Sequence, residues 1–142
     1  MSRFVSACLS AGLAVASAGA VDLDARRTAE RVGGCLARGC GTGWRDLLPA
    51  RGKVEISLRE LGGPHGSFAP DQARAVLDDV AARGTATSFD IVRIDVGDTA
   101  FALVRLSSSP RSGDARDAVG VHLVLQREDD RWTVREIRDS AP

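Results

Sequence analysis

Val119-Gly120-Val121-His122-Leu123-Val124-Leu125, a turn at Glu128-Asp129-Asp130-Arg131, and Trp132-Thr133-Val134-Arg135-Glu136-Ile137 form the stretch that decides the fold. Val119, Val121, Leu123 and Leu125 share one parity, the two-residue period of a half-buried strand. Acidic residues cluster where the chain reverses, and apolar sequence resumes at Trp132 to end near Ile137. Two strands joined by a tight turn make a hairpin.

Working outward, Ala100-Phe101-Ala102-Leu103-Val104-Arg105-Leu106 is apolar on both faces, which predicts a central strand. A polar loop from Ser107 to Arg116, carrying Pro110 and Gly113, joins it to the hairpin. Upstream, Phe89 and Ile91 share one parity while Ile94 and Val96 take the other. A phase change inside one apolar run predicts a bulge near Val92-Arg93. Gly97-Asp98 turns the chain, so the segment after Phe89 reads as four antiparallel strands in a meander.

Helical periodicity lies before the meander. Ala73, Val76, Leu77, Val80 and Ala81 form an i, i+3, i+4, i+7, i+8 stripe. Pro70 opens that helix, where a missing N–H costs nothing, and Gly84 ends it. Val54 to Arg59 alternates as one more strand, which Gly62-Gly63-Pro64-His65-Gly66 breaks. Trp44 to Pro49 makes a short apolar turn. A first helix from Asp22 lines up Ala25, Ala29, Val32 and Leu36, with Gly33-Gly34 weakening it by about 1 kcal/mol per glycine relative to Ala. Segregated helices beside a run of strands define an α+β domain, the helices covering one face of a bent sheet.

The first twenty residues read as a secretory signal. Arg3 gives a positive start, Phe4 to Ala16 is apolar or small, and Ala16-Ser17-Ala18 or Ala18-Gly19-Ala20 offers a cleavage site. A run of about 13 residues is short of the roughly 20 that span a bilayer. Val5-Ser6-Ala7-Cys8 resembles a lipoprotein box, but most of the apolar run would follow the cysteine, the wrong order for insertion before cleavage. The sequence therefore divides into a signal peptide, 1–20, and one exported domain, 21–142, periplasmic or secreted.

Cys8 leaves with the signal, and Cys35 and Cys40 remain. In an oxidising compartment a disulfide is the default, with free thiols and a metal site as the alternatives. A metal would need two more ligands, and the chain holds only His65 and His122. On one continuous helix the two cysteines would point about 140° apart. The helix must end between them, and Gly39 is placed to end it.

Charge is balanced: the chain has 19 basic and 19 acidic side chains, and loss of Arg3 leaves 18 against 19. No one-signed field exists to attract nucleic acid or an anionic membrane. All basic residues except Lys53 are arginine. With most arginines near an Asp or Glu, genome composition explains them more simply than phosphate recognition. Gly39-Cys40-Gly41-Thr42-Gly43 lacks the lysine and spacing of a phosphate-binding loop and reads as a turn. Nothing in the sequence calls for a cofactor.

Three residues are candidates for chemistry. His122 lies opposite Val121 and Leu123 in its strand, so it either lines a pocket as a general base or sits on the outer sheet face. Asp90 and Asp95 are carboxylates set in apolar strand sequence. In a pocket they could abstract a proton beside a carbonyl, but alternation with Phe89, Ile91, Ile94 and Val96 is also the pattern of solvent-facing positions. Arg93 and Arg105 stand ready to pair with neighbouring acids. His65 belongs to an exposed loop, and Ser107-Ser108-Ser109 has no elbow sequence around it.

The first helix, the Trp44-Arg45-Asp46-Leu47-Leu48 corner, the Phe68-Ala69-Pro70-Asp71-Gln72-Ala73 helix opening and the Asp130-Arg131-Trp132-Thr133-Val134-Arg135-Glu136-Ile137 ending resemble the nuclear transport factor 2-like superfamily. The nearest likeness is to its small exported bacterial families of unknown function. The resemblance implies a cone: a curved antiparallel sheet of four to five strands wrapped around two to three helices, able to leave a pocket. It implies no activity, because members include isomerases, dehydratases, transport adaptors and plain binding modules. Enzymatic members would carry an Asp–His pair or a Tyr with an acid, and this chain has no Tyr. Three functions follow as expectations. The first is a non-catalytic exported domain binding a small ligand or a protein on a concave apolar surface. The second is an isomerase- or dehydratase-type pocket enzyme using Asp90, Asp95 or His122. The third is a homodimerisation module pairing through the outer sheet face.

Overall fold

A computed structural model describes residues 9–84, 86–108 and 118–140, with side chains from residue 22 onward. Its strands are β1 (Val54–Ser57), β2 (His65–Phe68), β3 (Ser88–Val96), β4 (Thr99–Ser107), β5 (Ala118–Glu128) and β6 (Arg131–Ser140). Its helices are α1 (Leu9–Arg38), α2 (Trp44–Leu47) and α3 (Pro70–Ala82). The strands form one curved, unclosed sheet in the order β2-β1-β6-β5-β4-β3. The closing hairpin pairs Leu123 with Ile137, and Asp129 and Asp130 both take positive φ at its turn. Such a backbone matches the twist of the strands it joins.

The meander is present from β3 to β6, and the register slips between Ile91 and Arg93, where the parity change predicted a bulge. Three expectations need correction. The sheet has six strands, because His65–Phe68 is itself a strand paired antiparallel with β1. The glycines before it make a tight reversal, with Gly63 N–H donating to the Leu58 carbonyl at 2.7 Å, so the chain turns back instead of leaving the sheet. The sheet is mixed, because β1 runs parallel to β6 with Ile56 beside Ile137. The last strand continues past Ile137 to Ser140. There the buried Asp139 accepts the Leu61 N–H at 3.0 Å, which lets a carboxylate sit in a strand end.

One face of the sheet is covered. Ala100, Ala102, Val104, Leu106, Val121, Leu123 and Leu125 bury there on the side of α1, and α3 packs beside α1 over β1 and β2, with Trp44, Leu47, Leu77, Trp132 and Ile137 in the same core. Ala25, Ala29, Val32 and Leu36 bury as their spacing predicts, and so do Ala73, Leu77, Val80 and Ala81 of α3. Gly33 has a packing reason: a Cβ there would lie 2.7 Å from the Phe89 ring and 3.2 Å from Val104. Its bare backbone lets α1 rest directly on β3 and β4.

α1 ends as its glycine requires. Gly39 has φ of 80° and donates to the Cys35 carbonyl at 2.8 Å. The turn brings the Cα atoms of Cys35 and Cys40 to 4.8 Å, and a disulfide joins them. Closing so short a loop is worth about 2 kcal/mol on the chain-entropy account. α1 also runs unbroken through Leu9–Ala20 of the expected signal, whose first eight residues lie outside the described ones. Among the described residues no helix is long and apolar enough to cross a membrane.

Candidate functional site

The three candidates for chemistry sit on the uncovered face of the sheet. Asp90, Asp95 and His122 are all exposed. Asp90 accepts Arg105 Nη2 at 3.0 Å and Asp95 accepts Arg93 Nε at 3.0 Å, so each carboxylate is held in a surface ion pair. His122 stands between Leu103 and Arg138 in the strand ladder. It shares a shallow depression of about 340 Å³ with Asp95 and Phe101. Asp90 is not part of that depression, and none of the three lies in an enclosed cavity. His65, the other histidine, is exposed on β2. Among the described residues no group of three or more His, Cys, Asp or Glu could hold a metal.

Parity explains the placement. Val121, Leu123 and Leu125 fill the covered side, which leaves His122 no room there. Ala100–Leu106 is apolar on both faces for a different reason from the one its composition suggests. β4 is paired on both edges, yet its odd positions face outward, with Phe101 56% exposed. Among the described residues no helix covers the apolar side chains of the outer face.

A second site gathers residues that the sequence keeps far apart. Arg45, Arg74 and Arg131 line one cleft of about 310 Å³ with Leu48 and Pro49. Each arginine is fixed by a buried neighbour. Arg45 stands between Trp44 and Leu47 on α2, Arg74 follows Ala73 on α3, and Arg131 precedes Trp132 at the start of β6. The floor is tied down too: Ala50 N–H donates to Glu128 Oε1 at 3.0 Å, and Arg135 Nη1 donates to the Arg51 carbonyl at 3.4 Å.

Eight described arginines form ion pairs, but these three form none. Their sequence neighbours are committed elsewhere or stand apart. Asp46 faces Arg31 at 3.8 Å and Asp130 faces Arg127 at 3.8 Å, while Asp71, also lining the cleft, pairs with nothing. Three guanidinium groups therefore meet two carboxylates at this cleft, a net positive charge held in place by the scaffold. Guanidinium stays charged at every physiological pH and offers a planar fork to oxyanions. Reading each arginine beside its acid along the chain misses this: Arg45 and Asp46, for instance, are adjacent on α2 and do not face each other.

No protein-family model and no curated protein matches the chain. Solved structures do. A DUF4783 family protein from Bacteroides fragilis YCH46 superposes with a TM-score of 0.61 at 14% identity, covering 78% of this chain and 95% of its own. An NTF2-like protein of unknown function from Pseudomonas putida KT2440 gives 0.60 at 17% identity, covering 87% and 88%. A structure described as Rd1NTF2_04 with long sheet gives 0.58 at 16% identity, covering 81% and 98%. The chain has the nuclear transport factor 2-like fold. At these identities the likeness establishes the fold alone.

Proposed function

We propose that this chain is an exported, non-catalytic binding module that takes a small polyanion, carrying carboxylate or phosphate groups, in the Arg45–Arg74–Arg131 cleft. The observation that carries the reading is the convergence of three unpaired arginines from three separate elements on one cleft. A cleft of this size suits a ligand of small-metabolite dimensions. Bidentate guanidinium contacts supply strong, charge-assisted hydrogen bonds to oxyanions. The non-catalytic part rests on the outward placement of Asp90, Asp95 and His122. Export is supported by the Arg3 start, the apolar run to Ala16 and the Cys35–Cys40 disulfide. Material recovered outside the cytoplasm then begins at Gly19 or Val21; a chain still starting at Met1 there contradicts cleavage of a signal, and its absence outside the cytoplasm contradicts export.

Isothermal titration with citrate and with pyrophosphate at low salt tests the site. At least one probe binds, and Arg74→Gln or Arg131→Gln weakens it about tenfold or more, the loss of one hydrogen bond to a charged group. Because affinity rests on exposed charges, added salt weakens it as well. No heat with either probe, or an unchanged affinity when Arg74→Gln and Arg131→Gln are combined, rejects the cleft as a ligand site.

A further inference from the structure

The arginine cleft holds one charge that an anion site by itself does not explain. Asp71 lines it beside Arg45, Arg74 and Arg131 and is exposed. Among the described residues it forms no ion pair and no hydrogen bond. Asp46, the other acid of the cleft, is held by Arg31 at 3.8 Å. Asp71 belongs to the first turn of α3, where a carboxylate suits the helix dipole. The start of that helix is nonetheless closed by the next residue, since Gln72 Oε1 accepts the Ala69 N–H at 3.3 Å. Asp71 and Arg74 share a helix face at a spacing of three, yet each leaves the other free.

We propose that the cleft takes an α-amino acid with an anionic side chain, its ammonium group on Asp71 and its two oxyanion groups on the arginines. This rests on the polyanion reading above and narrows it. The free charges of the cleft are three cations and one anion. Such a zwitterion presents the inverse set. A guanidinium takes carboxylate or phosphate through its planar fork, and an ammonium offers three donors to a carboxylate.

An α-carbon carries its ammonium and its carboxylate side by side, so it needs an acceptor and a cation close together. Asp71 and Arg74 supply that pair, with about 5–6 Å between Cβ atoms at such a helical spacing. Arg45 from α2 and Arg131 from β6 then remain for the anion of the side chain. Leu48 and Pro49 line the same cleft with apolar atoms, against which the short carbon chain rests. Toward an anion that lacks the ammonium, Asp71 is a like charge, so it rejects as well as attracts.

Isothermal titration with O-phospho-L-serine and with 3-phosphoglycerate at low salt tests the assignment. The two probes differ by an ammonium against a hydroxyl on the α-carbon. On net charge alone a cationic cleft prefers 3-phosphoglycerate, which carries one more negative charge. The expected order is the reverse: phosphoserine binds more tightly by about threefold or more, the worth of an exposed ion pair. Asp71→Asn weakens phosphoserine and strengthens 3-phosphoglycerate, so the order inverts, whereas Asp71→Glu keeps it. Arg74→Gln weakens both. Binding of citrate or pyrophosphate with no preference for phosphoserine over 3-phosphoglycerate overturns this assignment and leaves the polyanion site standing. Affinities for the two probes that move together in Asp71→Asn overturn it too, because Asp71 then serves the helix and not the ligand. Absence of heat with every probe rejects both readings.

Discussion

The two faces of the sheet share strands and differ in everything else. On β4 the even positions Ala100, Ala102, Val104 and Leu106 are buried under helices, while the odd positions Phe101 and Arg105 face outward and are exposed. On β5 the same division separates Val121, Leu123 and Leu125 from His122. The covered face is therefore the folding surface. The uncovered one is spared packing duty, and it holds the candidates Asp90, Asp95 and His122. A strand that is apolar on both faces need not be covered on both. Here its second apolar face is the clearest sign that folding is not the only demand on the sequence.

The largest effect expected from breaking this comparison lies at Leu77, which α3 buries fully in the core. Leu77→Ala removes packed methyl groups and lowers stability by about 2–5 kcal/mol. Phe101→Thr, a truncation of similar volume at a site that keeps a strand-forming residue, changes stability by no more than about 0.5 kcal/mol in the monomer. Urea unfolding at dilution, where association is absent, measures both. Comparable losses at the two positions would show that the outer face is packed as tightly as the inner one.

The meander was legible because period-two alternation survives in strands of nine to eleven residues. Even the β3 bulge showed as a parity change. β2 was hidden: His-Gly-Ser-Phe has no alternation to read, and its strand character comes from the ladder to Val54–Ser57. The parallel pairing of β1 with β6 joins residues some eighty positions apart, and no local pattern records it. The disulfide was legible from Gly39 and compartment together. The arginine cleft was not, since Arg45, Arg74 and Arg131 become neighbours only after α2, α3 and the hairpin have docked. His122, Asp90 and Asp95 could be assigned to a face by parity, but which face the helices cover is a tertiary fact.

Two adjacent glycines sharpen the account of the covered face at the smallest scale. Helix propensity treats Gly33 and Gly34 alike and predicts that alanine at either position adds about 1 kcal/mol. Packing separates them. At Gly33 the new methyl group would stand 2.7 Å from the Phe89 ring and 3.2 Å from Val104, whereas at Gly34 it would meet Phe89 at an ordinary 3.5 Å. Gly33→Ala therefore loses stability on balance, by about 1 kcal/mol, because overpacking of about 1–3 kcal/mol outweighs the helical gain. Gly34→Ala gains about 0.5–1 kcal/mol. Denaturation midpoints that move in opposite directions for the two variants would show that contact with β3, rather than helix flexibility, is why α1 carries a glycine at 33. A rise in both would mean that α1 has room to lift from Phe89, and that the covered face is less tightly packed than its burial implies.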